Sequence, residues 1–471
     1  MTVPIILRFA DDLRLADNPA VAAAAATGRP VIPVFVDDPD EDAHWTPGPA
    51  AHAWVGRSLD ALGASLAARG SRLLRLTGDA GAVLTEIAHR TGADSLVRSR
   101  RRWPPHVRAD TRSDAALTSA GVRVEVHDSQ LLHDPADTLT SAGTPYTVFS
   151  PFARRVRARL RLEGLCEPPA HLTAPESWPN VQAFRSPPHE ALPGTPDLRS
   201  WTPGEIGALA ALERFTDGPL ASYEAARDLP GVHGTSRLSP HLRFGEISPA
   251  RVWHEAEPHG GSEAFLRQLL WREFAYDVLE HFPETPEKPL HDQYASFPWS
   301  RDFEGLAAWQ SGQTGYPLVD AGMRELLATG WMHNRVRMVV ASFLVKDLLL
   351  PWQQGAVWFW RLLSDADLAN NTFGWQWAAG CGADATPYVR VFNPVTQGVR
   401  FDVRGAYVRE WVPELSTLPD VWIHRPWEAP RKELRAAGVE LGTTYPAPIV
   451  DHAKARTRAL AVFEALKSRQ G

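Results

Sequence analysis

Residues 4–36, "PIILRFADDLRLADNPAVAAAAATGRPVIPVFV", decide the fold of the first third of the chain. Two short apolar runs flank an Ala-rich stretch, which reads as strand, helix, strand. A strand that returns through a helix lies parallel to the one before it, since a tight hairpin turn gives only antiparallel neighbours. The rhythm continues with a helical pattern from about Ala50 to Arg69, then "SRLLRLTG", "GAVLTEIAHRTG", "SLVRS" and "VRVEVHD". The spacing predicts a Rossmann-like parallel α/β domain over residues 1–130.

Residues 131–200 are rich in Pro, Ser and His ("CEPPAHLTAPESWPN", "SPPHEALPGTPDL") and read as a long linker wrapping the surface. From 201 to 471 apolar residues recur at three and four spacing in "SEAFLRQLLWREFAYDVLEHF", "YPLVDAGMRELLATGW" and "RVRMVVASFLVKDLLL", with almost no strand signal. An all-helical second domain follows. Ser262 and Asp365 are read as N-caps.

The 471 residues suffice for two domains, and 44% hydrophobic with 22% charged residues is the composition of a globular chain. The N-terminus lacks a secretory signal, and no run approaches the roughly 18 apolar residues that span a bilayer. A cytosolic protein without membrane contact is expected. Cys166 and Cys381 are the only cysteines, and no CxxC, zinc spacing, HExxH, Walker loop or GxSxG occurs, so no metal site is expected. The net charge of −6 gives no global signal for nucleic acid, which leaves the matter to local residues. Tryptophan is the compositional outlier, with 18 copies gathered mostly after residue 250.

Four segments of the helical half carry more polar and aromatic residues than packing needs: "GTSRLSPHLRFGE" (234–246), "RQLLWREF" (267–274), "GWMHNRVRM" (330–338) and "DADLANNTFGWQW" (365–377). In the first, hydroxyls, backbone N–H groups and Arg237 in a turn before a helix suit a pyrophosphate, although an ordinary helix cap with a solvated Arg is the commoner reading of such a turn taken alone. No GxGxxG occurs, so the α/β domain shows no dinucleotide fingerprint, and a dinucleotide would bind in the helical half. Asn334, Arg337 and Met338 share one helix face.

These segments, with "TGYPLVDAGMRELLATGWMHNRVRM", "ASFLVKDLLL", "DADLANNTFGWQWAAG" and "RVFNPVTQG" in order, resemble the photolyase/cryptochrome family, and within it the class I cyclobutane pyrimidine dimer photolyases. The opening "LRFADDLRLADNPA" is similar to that family's first strand and turn. The resemblance implies FAD bound in the helical domain and light-driven electron transfer to a pyrimidine dimer in UV-damaged DNA, by a protein expected to act as a monomer.

By the same resemblance Tyr223, Thr235, Ser236, Arg237, Leu238 and Ser239 hold the phosphates, while Trp271, Arg272, Trp331 and Asn334 line the cavity. Asp367 accepts from the flavin N3–H, Asp365 pairs with Arg337 beside the ring, and Asn371 faces N5, where an amide carries no titratable proton. Trp375, Trp352 and Trp299 form an electron relay, although core packing is the usual work of buried indoles. Trp271 and Trp377 stack on the everted bases, Asn334 and Met338 complete the pocket, and Gln397 and Arg335 lie toward the DNA.

Relatives that repair six-four photoproducts carry histidines where this chain has Asn334 and Met338, which favours the cyclobutane dimer. Gln268 departs from the glutamate usual in class I. Its NH2 can donate but it has no proton to transfer, which predicts weaker repair and a gain from Gln268→Glu. The alternative is a cryptochrome-type blue-light receptor. Sensory relatives often carry a long C-terminal extension, and the sequence ends soon after "YPAPIVDHAKARTRAL", which favours repair. The resemblance also implies a second, antenna chromophore in the α/β domain. "RSRRRWPPHVRADTR" lacks the Asn-Glu pair of folate-using relatives and no deazaflavin-binding acidic residues match, so the antenna is either absent or of another kind. The arginine runs at 98–108 and 154–161 read as solvated or interdomain surface, ahead of phosphate contacts.

Overall fold

The computed structural model describes residues 2–41, 45–162, 165–181, 192, 194–385, 388 and 390–468. Much of "SPPHEALPGTPDL" lies outside the described residues. Strands β1 (Ile5–Phe9), β2 (Val31–Asp37), β3 (Leu74–Thr77), β4 (Ser95–Ser99) and β5 (Arg123–His127) form one parallel sheet in the order β3-β2-β1-β4-β5. Ile5 pairs with Val31 on one side and Ser95 on the other. Alternate residues of β1 point to opposite faces. Ile5, Leu7 and Phe9 meet α1 (Pro19–Ala26) and α2 (Pro49–Ala67), while Ile6 joins the core under α3 (Ala80–Thr91) and α4 (Pro104–Ser119). Burial on both faces is why β1 and β2 read as nearly continuous apolar runs, whereas the edge strand β5 alternates apolar and charged residues.

In open parallel sheets a ligand crevice forms beyond the strand ends where the strand order reverses. Here that place, after β1 and β4, is filled by the helical half. Leu13 N–H donates to the Phe244 carbonyl (3.1 Å), Arg14 to the Gly245 carbonyl (2.9 Å) and Arg243 to Asp11 (2.9 Å). Gly245 has φ +60°, and a Cβ there would stand 2.1 Å from the Asp11 carbonyl oxygen. The missing dinucleotide fingerprint has a structural counterpart: protein occupies the crevice.

The linker contains a helix that its composition hides. α5 (Phe149–Arg159) buries Phe149, Phe152 and Val156, a stripe three residues wide, and stacks Phe149 on Trp271 with ring centroids 3.7 Å apart. Beyond it lie α6 (Glu205–Thr216), α7 (Tyr223–Ala226), α8 (Ser239–Arg243), α9 (Pro249–Ala256), α10 (Ser262–His281), α11 (Phe303–Ser311) and α12 (Pro317–Thr329). They are followed by α13 (Asn334–Ser342), α14 (Trp352–Leu362), α15 (Leu368–Ala379), α16 (Pro394–Phe401), α17 (Ala406–Trp411), α18 (Arg431–Ala436) and α19 (His452–Ser468). Among the described residues no strand follows β5.

Two cap expectations are corrected. Gly261, not Ser262, precedes α10 as its cap, and Asp367, not Asp365, caps α15, its carboxylate accepting from Asn370 N–H at 2.8 Å. Asp365 is instead committed to Arg337.

Candidate active site

α10, α13 and α15, with the loop before α8, enclose a cavity of about 560 Å³. Each contributes residues one helical turn apart, which is what places them on one wall: Gln268, Trp271 and Arg272 from α10, and Asn334, Arg337 and Met338 from α13. At four-residue spacing Asp367, Asn371 and Trp375 come from α15 and its cap, with Trp377 beside them. Thr235, Ser236, Arg237, Leu238 and Ser239 line another side, with Tyr223, Trp331 and Asp365. The four segments singled out in the sequence thus converge on one hollow.

Arg337 donates to both oxygens of Asp365 (3.1 and 2.8 Å) and to the Met332 carbonyl (2.7 Å), so this pair is locked. Asp367 accepts from Asn370 on one oxygen and from the Tyr276 hydroxyl (2.5 Å) on the other. A carboxylate offers about four acceptor positions, so capacity remains for a ligand N–H. Burial, and then the Asp367 charge, raise Tyr276 well above the usual phenol range and keep it a donor. Asn371 donates its amide to the Ala356 carbonyl at 3.0 Å.

Arg237 adopts φ +53° and lies between two indoles, 4.2 Å from Trp201 and 4.9 Å from Trp331. Burial lowers its guanidinium pKa. Its Nε and the Nη2 of Arg272 are buried without a hydrogen-bond partner. Such donors are costly to leave unpaired, and at a cavity wall they fit an anionic, carbonyl-bearing ligand.

Trp375 lines the cavity and lies flat on Gly355 of α14, where a Cβ would stand 2.1 Å from its ring. Trp352, one turn away at the start of α14, is buried, and Trp299 is half-buried against the same core. Ser300 N–H bonds to the Leu349 carbonyl at 2.7 Å, which ties the Trp299 segment to the chain entering α14. Trp352 and Trp299 lie outside the cavity lining, as do Arg335 and Gln397. Arg335 is held by Asp228 (2.6 Å) over the Phe401 ring, and Gln397 sits half-buried on α16.

The family model described as the FAD binding domain of DNA photolyase matches residues 265–465, and that of DNA photolyase matches residues 5–176. The deoxyribodipyrimidine photo-lyase of Agrobacterium fabrum is 47% identical, over 99% of this chain and 98% of its own length. The chain belongs to the DNA photolyase and cryptochrome family. Cryptochrome-1 of Arabidopsis thaliana is 40% identical over 96% of this chain and 69% of its own. A crystal structure of a bacterial class III photolyase from Agrobacterium tumefaciens superposes with a TM-score of 0.93 at 46% identity, covering 99% of this chain and 98% of that one. Class III is the subclass given for that relative, whereas the motifs point to class I. The walls of the cavity from α10, α13 and α15 fall within the span matched by the FAD binding domain, and the unpartnered Arg237 and Arg272 donors fit that cofactor.

Two residues at or behind the cavity wall escape a reading of the sequence. Arg227 lines the wall and donates to Gln268 Oε1 at 3.0 Å, and Phe149 backs Trp271 from the linker. A single Arg in "YEAARD" gives no local signal. Phe149 and Trp271 are far apart in the chain, and only folding brings them together. Among the described residues no helix is long and apolar enough to cross a membrane and no cluster could hold a metal.

Proposed function

We propose that the protein splits cyclobutane pyrimidine dimers in DNA by light-driven electron transfer. The observation that carries this reading is the cavity, in which Asp365, Asp367, Asn371 and the unpartnered Arg237 and Arg272 stand together with Gln268, Trp271, Met338 and Trp377. One set suits a flavin and the other two adjacent everted pyrimidines of one strand. When bound, reduced FAD supplies the photoexcited electron that the dimer accepts and gives back.

The chain's own residues orient and shield. Asp367 offers a fixed acceptor to the ring-edge N–H, held by Tyr276 and Asn370. Arg337, paired with Asp365, places a cation beside the ring without leaving net charge. Arg237, with Thr235, Ser236 and Ser239, faces the phosphates. Asn371 presents an amide with no titratable proton. Trp375, Trp352 and Trp299 relay an electron inward from the half-buried Trp299. Trp271, stiffened by Phe149, and Trp377 take the everted bases, each stacked base contributing about 1–3 kcal/mol. Asn334 and Met338, in place of a histidine pair, favour the cyclobutane product. In this reading residues 201–471 carry the chemistry, 1–130 form an antenna-type domain, and the 131–200 segment lends Phe149.

Reduced protein mixed with an oligonucleotide carrying a thymine dimer should restore the undamaged bases in blue light and not in the dark. The 40% identity to a plant cryptochrome supports a second reading, a blue-light receptor. FAD-loaded protein without light-dependent turnover would select it. Trp375→Phe should slow photoreduction yet leave repair by chemically reduced protein intact.

A further inference from the structure

The carboxamide of Gln268 is not free to turn. Arg227 donates to its Oε1 at 3.0 Å, and Arg227 is steered in turn by Asp228 (3.8 Å from its Nε), which also holds Arg335 at 2.6 Å. A guanidinium has donors only, so the atom turned toward it must be the amide oxygen. The NH2 then faces the other way. One of its hydrogens reaches the Ala264 carbonyl at a long 3.4 Å, and both Arg227 and Gln268 line the cavity.

We propose that Arg227 is a positioning residue that holds Gln268 as a permanent hydrogen-bond donor to a carbonyl oxygen of the everted pyrimidine. The proposal rests on the repair reading and gives the departure at 268 a purpose. A glutamate at this place would stand beside the Arg227 cation, which favours the ionised form. An ionised carboxylate only accepts, and it would confront the base carbonyl with a like dipole. In this chain the glutamine is the competent residue, and Gln268→Glu weakens recognition where the sequence alone predicts a gain.

The other titratable groups of this cluster are Asp228, Arg335, His333 and Tyr223. Burial holds His333 down to about 4 and pushes Tyr223 up, so both stay neutral between about pH 6 and about pH 9. Neither adds a titration of its own in this window, so the pH dependence of each variant is read against that of wild type.

The test is dark binding of FAD-loaded protein to two oligonucleotides, one with a thymine dimer and one undamaged, across that pH window. Wild type is expected to prefer the damaged strand by a ratio that does not change with pH. Gln268→Glu should lose roughly tenfold of that preference near neutral pH. Gln268→Leu, which removes the donor without adding charge, should lose a similar factor equally at every pH. Adding Arg227→Met to Gln268→Glu removes the cation that keeps the carboxylate ionised, so preference should begin to return at the acid end of the window. Arg227→Lys, which still donates to Oε1, should keep most of the wild-type preference. If Gln268→Glu matches wild type near neutral pH while wild type discriminates, the inference fails alone. If wild type binds both strands equally, the repair reading fails and carries the inference with it.

Discussion

Two groups of arginines in this molecule have opposite fates. In the α/β domain Arg8, Arg98 and Arg101 converge on Asp110 at 2.7, 3.1 and 2.5 Å, and Asp114 and Glu41 complete three carboxylates against three cations. Burial would raise the Asp110 pKa, but Arg101 and Arg8 outweigh it and hold the carboxyl at about 2. Around the cavity the counter-charges are fewer. Arg337 is closed by Asp365 and Arg227 has only Asp228, 3.8 Å from its Nε, beside the neutral Gln268 amide, while Arg237 lies between indoles with its Nε unpaired. Arg8 Nε is also unpaired, so an orphan donor alone does not separate the groups. What separates them is whether carboxylates close the charge. The first group is architecture, and in the second it is Arg237 that waits for a ligand.

The comparison is broken first at its closed end. Asp110→Asn leaves three buried guanidiniums facing an amide, and removing one partner of a buried ion pair costs about 3–5 kcal/mol. Chemical denaturation should show a loss of that order, while the molecules that remain folded keep their FAD. A loss of FAD without a loss of stability would assign the cluster to binding.

At the open end the signs reverse. Arg237→Met removes a cation that burial already disfavours and that no carboxylate pairs, so the apoprotein midpoint should not fall. FAD retention should fall, since a charge-assisted hydrogen bond contributes about 1.5–3 kcal/mol, roughly ten- to a hundredfold in affinity. Absorbance of flavin after gel filtration, beside a thermal melt of apoprotein, reads both arms.

The same contrast explains what the sequence could and could not tell. Strand and helix order followed from apolar period, because β1, β2 and β4 are buried on both faces and α10, α12 and α13 carry long apolar faces. Helix α5 is hidden because only Phe149, Phe152 and Val156 mark its buried side among many arginines. "RSRRRW" announces charge, yet its Arg98, Arg101 and Arg102 are buried in ion pairs, two of them reaching Asp110 on the next helix and one reaching Glu280 in the helical half, and a run of like charges does not by itself tell burial from exposure. The cavity motifs are legible by their resemblance. Arg227 and Gly355 are not, since one acts through Gln268 and the other by the absence of a side chain under Trp375.

His133 sharpens the comparison with a cation that is closed but titratable. It sits between Glu273 (2.9 Å) and Asp277 (3.4 Å) of α10, at the start of the linker segment. Burial works against its charge, but hydrogen bonds to Asp277 and Glu273 outweigh that and raise its pKa to about 9. A pKa raised in the folded state adds stability that is full below the unfolded value of about 6.5 and fades as pH climbs through about 9. His133→Gln should therefore lower the melting temperature clearly near about pH 6 and progressively less toward about pH 9.5. An equal loss at both ends would mean that packing against Phe152, not charge, is what the imidazole contributes.

The smallest effect belongs to the run at 154–161. Arg154, Arg159 and Arg161 are exposed, and Arg159 and Arg161 donate only to backbone carbonyls. Replacing all three with alanine should move stability by no more than about 0.5 kcal/mol per site, the usual range for surface positions. It should also leave the salt dependence of DNA binding unchanged, because every arginine that neutralises a phosphate adds nearly one to the slope of log affinity against log salt. The control is Arg400→Ala on α16, an exposed arginine beside the Phe401 ring that Arg335 also covers, next to the cavity wall from α13. A slope that falls for the triple replacement and not for Arg400→Ala would move the DNA track from the cavity mouth to α5. Phe149 and Arg157 would then be judged together, one as the support of Trp271 and the other as part of a phosphate-facing edge.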